Sequence, residues 1–143
     1  MSDESVLLDV DNGVATITLN RPDERNALSR PVAEGIRDAL DDADAADARC
    51  VVLEGTGEAF SAGGDIEAMV EGIQGDLSVE ERVRVVERSF NRTIERLAEF
   101  PLPTVALLDG AAIGAGASLA IACDLQLASE HCSIGFSFRA VGL

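Results

Sequence analysis

The pattern that most constrains this chain is a buried strand followed by a glycine-rich loop and a helix, because it occurs twice, over residues 50–71 and 104–122. RCVVLEG and TVALLDG are short apolar runs closed by glycine, as expected for strands that are buried on both faces. The loops FSAGGD and GAAIGAGAS follow them, and each loop opens a helix. This alternation of strands and helices predicts an α/β fold.

The N-terminal segment predicts a hairpin and then a helix. LLDVDNGVATITLN (residues 7–20) reads as two strands around Asn12 and Gly13, a pair that accepts the positive φ angles of a tight turn. Ser29 is a candidate helix cap with Pro31 in the first turn. The helix that follows is expected to be amphipathic, since apolar residues recur at helical spacing at Val32, Ile36, Leu40 and Ala43.

The longest predicted helix starts at a capping box formed by Ser78 and Glu81 and ends before Pro101. Its apolar residues form one stripe, which consists of Val79, Val83, Val86, Phe90, Ile94 and Leu97. After the second glycine-rich segment, which is read as a small-residue turn and a tightly packed helix, LQLAS (residues 125–129) predicts another strand.

Composition and charge narrow the classes of partner. The chain has 143 residues, 47% of them apolar, which is enough for one domain with a core. Eleven basic residues stand against 26 acidic ones for a net charge of −15, so nucleic acid and anionic membranes are not expected as partners. Every basic residue is arginine, and an acid-rich, lysine-free surface is typical of halophilic proteins, in which salt screens self-repulsion.

No apolar run approaches the roughly 18 residues of a membrane span, and the N-terminus lacks the basic and apolar regions of a secretory signal. Both observations favour a cytoplasmic location.

Cys50, Cys123 and Cys132 show no CxxC spacing, so we expect neither a disulfide framework nor a metal site. His131 lies in a polar stretch and is expected to be a surface residue.

The two glycine-rich loops are the candidate functional elements. Small residues let a ligand approach the backbone, and the free N–H groups at a helix start attract negative charge. Two such loops could converge on one oxygen, for example that of a thioester enolate. Gly114 and Gly116 also match two glycines of the GxGxxG dinucleotide pattern, but the third position is Leu119. An oxyanion site, a phosphate site and close helix packing all remain open on these residues alone.

Four segments together resemble the enoyl-CoA hydratase/isomerase, or crotonase, superfamily. They are LNRPDERNALS (residues 19–29), AFSAGGDIEAM (59–69), PTVALLDGAAIGAGASLAIACDLQLAS (103–129) and SIGFSFRAVGL (133–143). The resemblance implies a crotonase-like α/β spiral of repeated ββα units, an acyl group of fatty-acid metabolism carried as a coenzyme A thioester, no separate cofactor and no metal, and assembly into homotrimers or hexamers.

The resemblance also implies site residues. Ala62 and Ala115 match the two backbone amides of the family's oxyanion hole. The backbone from Ala62 through Gly63, Gly64 and Asp65 to Ile66 matches the loop that contacts the adenine end of CoA. Gly114, which precedes the second amide, is expected to be a substrate-binding residue, and Arg25 is a candidate phosphate contact.

The chain departs from the family's hydratases at the acid/base positions. Their two glutamates would fall at Ser118 and at about Phe138, and neither residue is a carboxylate. Ser118 is kept as a candidate catalytic residue: its hydroxyl could hold a water molecule or help cap the helix, but it is a poor general base unless a neighbour activates it. Asp65 is expected to cap a helix, Glu67 and Glu71 to be solvated, and Asp109 and Asp124 to bond to local backbone. Arg139 could meet an acidic group at a subunit contact.

Family chains continue well beyond the length seen here, so residues 1–143 are expected to be the N-terminal part of a single truncated crotonase-like domain, with an open sheet edge and an uncovered apolar face. The sequence favours a lyase or isomerase that moves a double bond through a stabilised enolate. A hydratase with unusual acid/base residues, a catalytically inactive CoA-thioester-binding subunit and a Rossmann-like nucleotide binder are the alternatives.

Overall fold

The structure, a computed structural model, describes residues 4–64 and 75–136. Within these ranges it contains eight strands and three α-helices, with a short 3₁₀ helix at Pro22–Glu24. The strands are β1 Val6–Asp11, β2 Val14–Leu19, β3 Cys50–Gly55, β4 Ala59–Ser61, β5 Thr104–Leu108, β6 Ala111–Ile113, β7 Leu125–Ala128 and β8 Ser133–Gly135. The helices are α1 Arg30–Ala45, α2 Val79–Ala98 and α3 Ala115–Ile121.

The strands form two sheets. The larger has the order β1-β2-β3-β5-β7, in which β1 pairs antiparallel with β2 and every other pair is parallel. The smaller has the order β4-β6-β8 and is parallel. The hairpin β1-β2 lies wholly in the larger sheet. In each later pair, β3-β4, β5-β6 and β7-β8, the first strand joins the larger sheet and the second joins the smaller one. Helices α1, α2 and α3 follow β2, β4 and β6 along the chain. The prediction of an α/β fold is confirmed.

The hairpin forms as its sequence predicts. Asn12 and Gly13 have φ angles of 50° and 81°, so both turn residues are left-handed and the strands can twist normally. The pairing of Val6 with Leu19 at the open end sets a register in which Ala15, Ile17 and Leu19 face the core.

The core lies between the larger sheet and the helices. Every second residue of β2 and of β5 is buried, as expected for strands with one face on the core. The largest fully buried side chains are Ile17, Leu19, Leu28, Val32, Ile36, Leu40, Val51, Leu53, Phe60, Leu97, Leu108 and Leu119. Each such side chain contributes roughly 1.5–3 kcal/mol through its removal from water.

Two details of the helices differ from the predictions. Ser29 occupies the N-cap position of α1, but its hydroxyl makes no cap bond with the helix. The hydroxyl instead accepts from the guanidinium of Arg21 at 3.2 Å. The capping box of Ser78 and Glu81 is present on α2. Val79, however, is 70% exposed, so it is not part of a buried stripe.

The position of Val79 explains its exposure. The described polar contacts between α2 and α1 lie in the C-terminal half of α2, where the Thr93 hydroxyl donates to the carbonyl of Ala33 at 3.1 Å and Arg96 pairs with Asp41 at 2.7 Å. Val79 is the first residue of the helix and lies beyond these contacts. The side chains of Val83 and Val86 lie outside the described part of the chain.

Strands β4, β6 and β8 were not expected, since the sequence predicts a loop, a turn and an undefined tail at these places. Each has only three residues, which is too short to show a periodic apolar pattern. They form because they pair with one another, with Ala59 beside Ala111 and Ile113 beside Gly135. Tertiary pairing thus creates a second sheet that no local signal predicts.

Among the described residues, several large apolar side chains near the last two strands are exposed. In the edge strand β7, Leu125 and Leu127 are about three-fifths exposed, at 60% and 61%, and Ile134 and Phe136 are also exposed. This agrees with the expected open sheet edge and uncovered apolar face.

The cysteines do not form disulfides. Burial raises the pKa of the Cys123 thiol to about 12, which leaves it protonated and unreactive at neutral pH.

His131 is exposed, as predicted. Across the described residues, no three metal-binding side chains cluster, and no helix has both the length and the apolar character to cross a membrane.

Asp109 and Asp124 bond to distant residues and not to local backbone as predicted. The Asp124 carboxylate accepts from the N–H and the hydroxyl of Thr104 at 2.8 and 3.0 Å, while Asp109 accepts from the Ser129 hydroxyl at 2.7 Å. The reason is the parallel pairing of β5 with β7, which brings residues 20 positions apart into contact. The Thr104 N–H, and then its hydroxyl, lower the pKa of the Asp124 carboxyl.

The Asp124 contact predicts a specific acid sensitivity. A carboxyl whose pKa is lowered on folding stabilises the native state above its unfolded pKa, and this stabilisation is lost as the pH falls through the folded value. We expect Asp124→Asn to lower Tm at pH 7, and the difference from the wild type to shrink as the pH falls below about 4. Melting curves between pH 2 and 7 measure this, with Asp9→Asn on the exposed edge of β1 as the control. A difference that stays constant over this range would contradict it.

Candidate active site

The two glycine-rich loops meet at one edge of the smaller sheet. They follow β4 and β6, and because these strands are parallel neighbours, their carboxyl ends lie side by side. A Cβ atom added to Gly116 would lie 2.6 Å from the carbonyl oxygen of Ser61. One added to Gly63 would lie 2.7 Å from the carbonyl oxygen of Ile113 and 3.6 Å from the amide nitrogen of Ala115. The two loops are therefore in backbone contact.

A third segment, residues 25–28, packs along the first loop. The Ala62 N–H donates to the carbonyl of Arg25 at 2.9 Å, and the N–H of Leu28 donates to the carbonyl of Gly63 at 2.8 Å. Between these two bonds, the hydroxyl of Ser61 donates to the carbonyl of Asn26 at 2.8 Å. Three cross-links thus hold the first loop against residues 25–28.

These bonds decide which amides of the loops are free. The N–H of Ala62 is engaged by Arg25, and that of Gly63 donates to the Ser61 hydroxyl at 3.2 Å. Within residues 4–64 and 75–136, no acceptor is found for the N–H of Gly64 or for that of Ala115. Ala115 is the first residue of α3, where the N–H has no acceptor within the helix.

This geometry alters one of the predicted assignments. Ala62 was the expected first oxyanion donor, but in this structure its N–H already has a partner in the protein. Gly64, expected only among the residues along the substrate, has the unengaged amide on the first loop. Ala115 retains its predicted place on the second loop, beside Gly63.

Gly114 joins β6 to α3 in a conformation that favours glycine, with φ 53° and ψ −117°. Its N–H donates to the carbonyl of Gly135 at 2.7 Å, which ties the second loop to β8. The amide of Gly114 is therefore not a ligand donor, and the residue instead sets the direction in which Ala115 and the start of α3 leave the sheet.

Ser118 lies one turn after Ala115 on α3 and is half-buried. Its hydroxyl donates to the carbonyl of Gly114 at 3.3 Å, four residues back along the helix. This local bond occupies the hydroxyl proton and leaves only the oxygen lone pairs to face a ligand.

The other predicted residues fall into two groups. Arg25 is exposed and left-handed, with φ 51°, at the edge of the first loop, so its side chain is accessible next to the site. A second group lies outside the described residues, namely Asp65, Ile66, Glu67, Glu71, Phe138 and Arg139.

Asn26 and Ser61 were not predicted to belong to the site, although both are fully buried polar residues beneath it. Only one signal was present in the sequence: an asparagine within the polar turn before α1, a residue type that tolerates the left-handed φ of 53° found here. Ser61 carried no signal, because a serine in a glycine-rich loop is ordinary.

Comparisons with known proteins agree with this architecture. The family model for enoyl-CoA hydratase/isomerase matches residues 9–143. The chain belongs to the enoyl-CoA hydratase/isomerase family. Its fold is crotonase-like, as the resemblance implied, and the β6–α3 loop is therefore not part of a Rossmann dinucleotide fold.

Three similar proteins illustrate the range of the family. A trans-2-decenoyl-[acyl-carrier-protein] isomerase of Streptococcus mutans is 38% identical over all of this chain and 54% of its own length. The 1,2-epoxyphenylacetyl-CoA isomerase of Escherichia coli is 34% identical, with 98% of this chain and 53% of the isomerase covered. The crystal structure of an enoyl-CoA hydratase from Mycobacterium avium superposes with a TM-score of 0.81 at 34% identity, covering 97% and 52% of the two chains.

The chain spans about half the length of these relatives. Both glycine-rich loop sequences lie within the 143 residues of this chain. Because hydratases and isomerases both occur among the relatives, family membership alone leaves the reaction open.

The contact of Gly116 with Ser61 predicts the effect of a single methyl group. Gly116→Ala would place a Cβ 2.6–2.8 Å from the carbonyl oxygen, Cβ and Oγ of Ser61, a fully buried residue. We expect a loss of about 1–3 kcal/mol in the free energy of unfolding, measured by urea denaturation. The control is Gly35→Ala on α1, whose Cβ would meet only the Val6 side chain at 3.1 Å and should cost less. An equal cost for both variants would contradict the backbone contact described here.

Proposed function

We propose that this chain forms the thioester-binding half of an acyl-CoA enzyme in which the amides of Gly64 and Ala115 hold the thioester oxygen and stabilise its enolate. The observation that carries the proposal is the pair of unengaged N–H groups on two loops in backbone contact. Both donors belong to the rigid backbone, so neither must reorganise as charge develops. A fixed donor of this kind is worth about 3–4 kcal/mol in the transition state.

The substrate is proposed to be a coenzyme A thioester. The supporting observations are the family membership and the E. coli relative, whose name specifies a CoA thioester. Arg25, exposed at the edge of the first loop, is the candidate contact for a phosphate of CoA. The proposed reaction needs no cofactor and no metal besides the CoA that enters with the substrate.

Double-bond isomerisation is proposed over hydration. Hydration needs groups that position and deprotonate water, and Ser118 has a hydroxyl bonded back to its own helix where a carboxylate would be required. Isomerisation needs a single carboxylate that moves a proton between two carbons of the enolate. None of the residues 4–64 and 75–136 is assigned this role.

Two other functions remain as alternatives. One is an enoyl-CoA hydratase with different acid/base residues, and the other is an inactive subunit that binds CoA thioesters. The absence of a carboxylate at Ser118 favours the second over an ordinary hydratase. Assembly as a homotrimer or hexamer and a cytoplasmic location also remain proposals.

The test is deuterium exchange at the α-carbon of an acyl-CoA in D₂O, followed by mass spectrometry. The native protein should catalyse this exchange, because a stabilised enolate is its intermediate. Ala115→Pro removes one amide donor at the first position of α3, where proline fits a helix, and should slow exchange by about 10²–10³-fold. Val79→Pro, at the first position of α2, is the matched control and should leave the rate unchanged.

Different outcomes separate the candidates. Acyl-CoA binding without α-proton exchange in the native protein would favour the inactive binding subunit. Exchange that survives Ala115→Pro in a folded variant would rule out the second donor. Release of a 3-hydroxyacyl-CoA from a 2-enoyl-CoA, with no shift of the double bond, would identify a hydratase.

Ser118 provides an independent prediction. Since its hydroxyl already donates to the carbonyl of Gly114, we expect Ser118→Ala to change kcat for isomerisation less than about threefold, far below the roughly 10²–10⁴-fold contribution of a general base. Steady-state kinetics of the native protein and this variant measure it. A loss of 100-fold or more would mean that the hydroxyl takes part in proton transfer.

A further inference from the structure

The side chain of Asn26 lies beneath the first loop and is only 1% exposed. Its oxygen accepts from the N–H of Arg21 at 2.8 Å. Its amide nitrogen donates to the carbonyls of Thr56 and Ala59, both at 2.8 Å. Both donors of the amide are therefore used, and one side chain joins the turn before α1 to the connection between β3 and β4.

The same residue acts on the loop through its backbone. The Asn26 carbonyl accepts from the Ser61 hydroxyl, and the oxygen of that hydroxyl accepts in turn from the N–H of Gly63. The neighbouring Arg25 carbonyl accepts from the N–H of Ala62. The N–H groups of Ala62 and Gly63 are thus both engaged, the first by the Arg25 carbonyl and the second by the Ser61 hydroxyl that Asn26 holds. The next amide along the loop, that of Gly64, has no acceptor among the described residues.

The surroundings are shaped for this side chain. A Cβ atom on Gly55, at the end of β3, would lie 2.7 Å from the amide nitrogen of Asn26, so glycine leaves the space that the asparagine occupies. Asn26 itself is left-handed, with φ 53°, a conformation that asparagine tolerates better than most residues. A larger or differently shaped side chain would not reach the same three backbone groups.

We infer that Asn26 is a positioning residue: it fixes residues 25 and 26 so that their carbonyls hold the Ala62–Gly63 backbone and direct the free N–H of Gly64 toward the substrate oxygen. This inference rests on the proposed function for its catalytic consequence. Its structural part, the control of amide protection in residues 62–63, does not depend on any reaction.

The first test is hydrogen exchange in the full native protein. Asn26→Asp keeps the shape of the side chain but replaces the nitrogen that donates to Thr56 and Ala59. Exchange at the Ala62 and Gly63 amides, read from peptides covering residues 59–64, should accelerate by about tenfold or more. Exchange in β2 (residues 14–19) should stay within about twofold, as an internal reference for global stability.

Asn20→Asp is the matched control. It makes the same substitution six residues away, but the described side-chain hydrogen bonds of Asn20 are to the Glu4 carbonyl and the Thr56 hydroxyl and do not reach the loop. It should leave the exchange of residues 62–63 unchanged. Equal acceleration in both aspartate variants, or none in Asn26→Asp, would overturn the inference.

The second test separates positioning from general stability. In a folded Asn26→Asp protein, kcat for α-proton exchange should fall by about 10- to 100-fold, while KM for the acyl-CoA changes less than about threefold, because a displaced donor chiefly affects the transition state. A fall in kcat that merely follows the folded fraction would indicate a structural role only and overturn the inference. If the native protein shows no turnover, the proposed function fails, and the exchange measurement still decides the structural part.

Ser61→Ala tests the same connection if Asn26→Asp does not fold. It removes the hydroxyl between the Asn26 carbonyl and the Gly63 N–H and leaves the Asn26 side chain in place. Exchange at Gly63 should accelerate by about tenfold, with kcat reduced and KM nearly constant. Unchanged protection and unchanged kcat would show that residues 25–26 do not control the loop.

Discussion

The parallel pairing of β4 with β6 is the interaction on which the rest of this structure depends. Each strand has only three residues, yet their pairing places the two glycine-rich loops side by side at one sheet edge. Glycine at positions 63 and 116 then lets the loop backbones approach to distances that a side chain would prevent. Two strands that are too short to be stable alone thus create the proposed oxyanion site, because the strand before each of them, β3 or β5, belongs to the larger sheet.

Backbone donors suit this scaffold. The chain has a net charge of −15 and no lysine, and backbone amides supply positive partial charge to an oxyanion without drawing on its eleven arginines. Amide groups held by strand pairing and by a helix start keep their positions and partial charges regardless of salt or pH. The neighbouring amides of the loop need acceptors of their own: the N–H of Ala62 donates to the Arg25 carbonyl, and that of Gly63 donates to the Ser61 hydroxyl, which in turn donates to the Asn26 carbonyl.

Several elements could be predicted from the sequence because their signals are local. The hairpin at Asn12-Gly13 follows from two residues that tolerate positive φ, and the start of α2 follows from the reciprocal bonds of Ser78 and Glu81. The short strands, the exposure of Val79 and the partners of Asp109 and Asp124 could not be predicted in this way. Each of them depends on residues about 20 or more positions away that only the folded chain brings near.

By itself the sequence determined the α/β order of elements, the two glycine-rich loops and, through the motifs of the enoyl-CoA hydratase/isomerase family, the class of fold. Only the tertiary structure decided which amides of those loops are free. In the sequence alone, Ala62 and Gly64 are equally good candidates for a backbone donor, because every residue other than proline carries an N–H group. They differ because the Arg25 carbonyl lies 2.9 Å from the first, while no described acceptor engages the second. A backbone donor is defined by its partners, and partners distant in sequence exist only once the chain has folded.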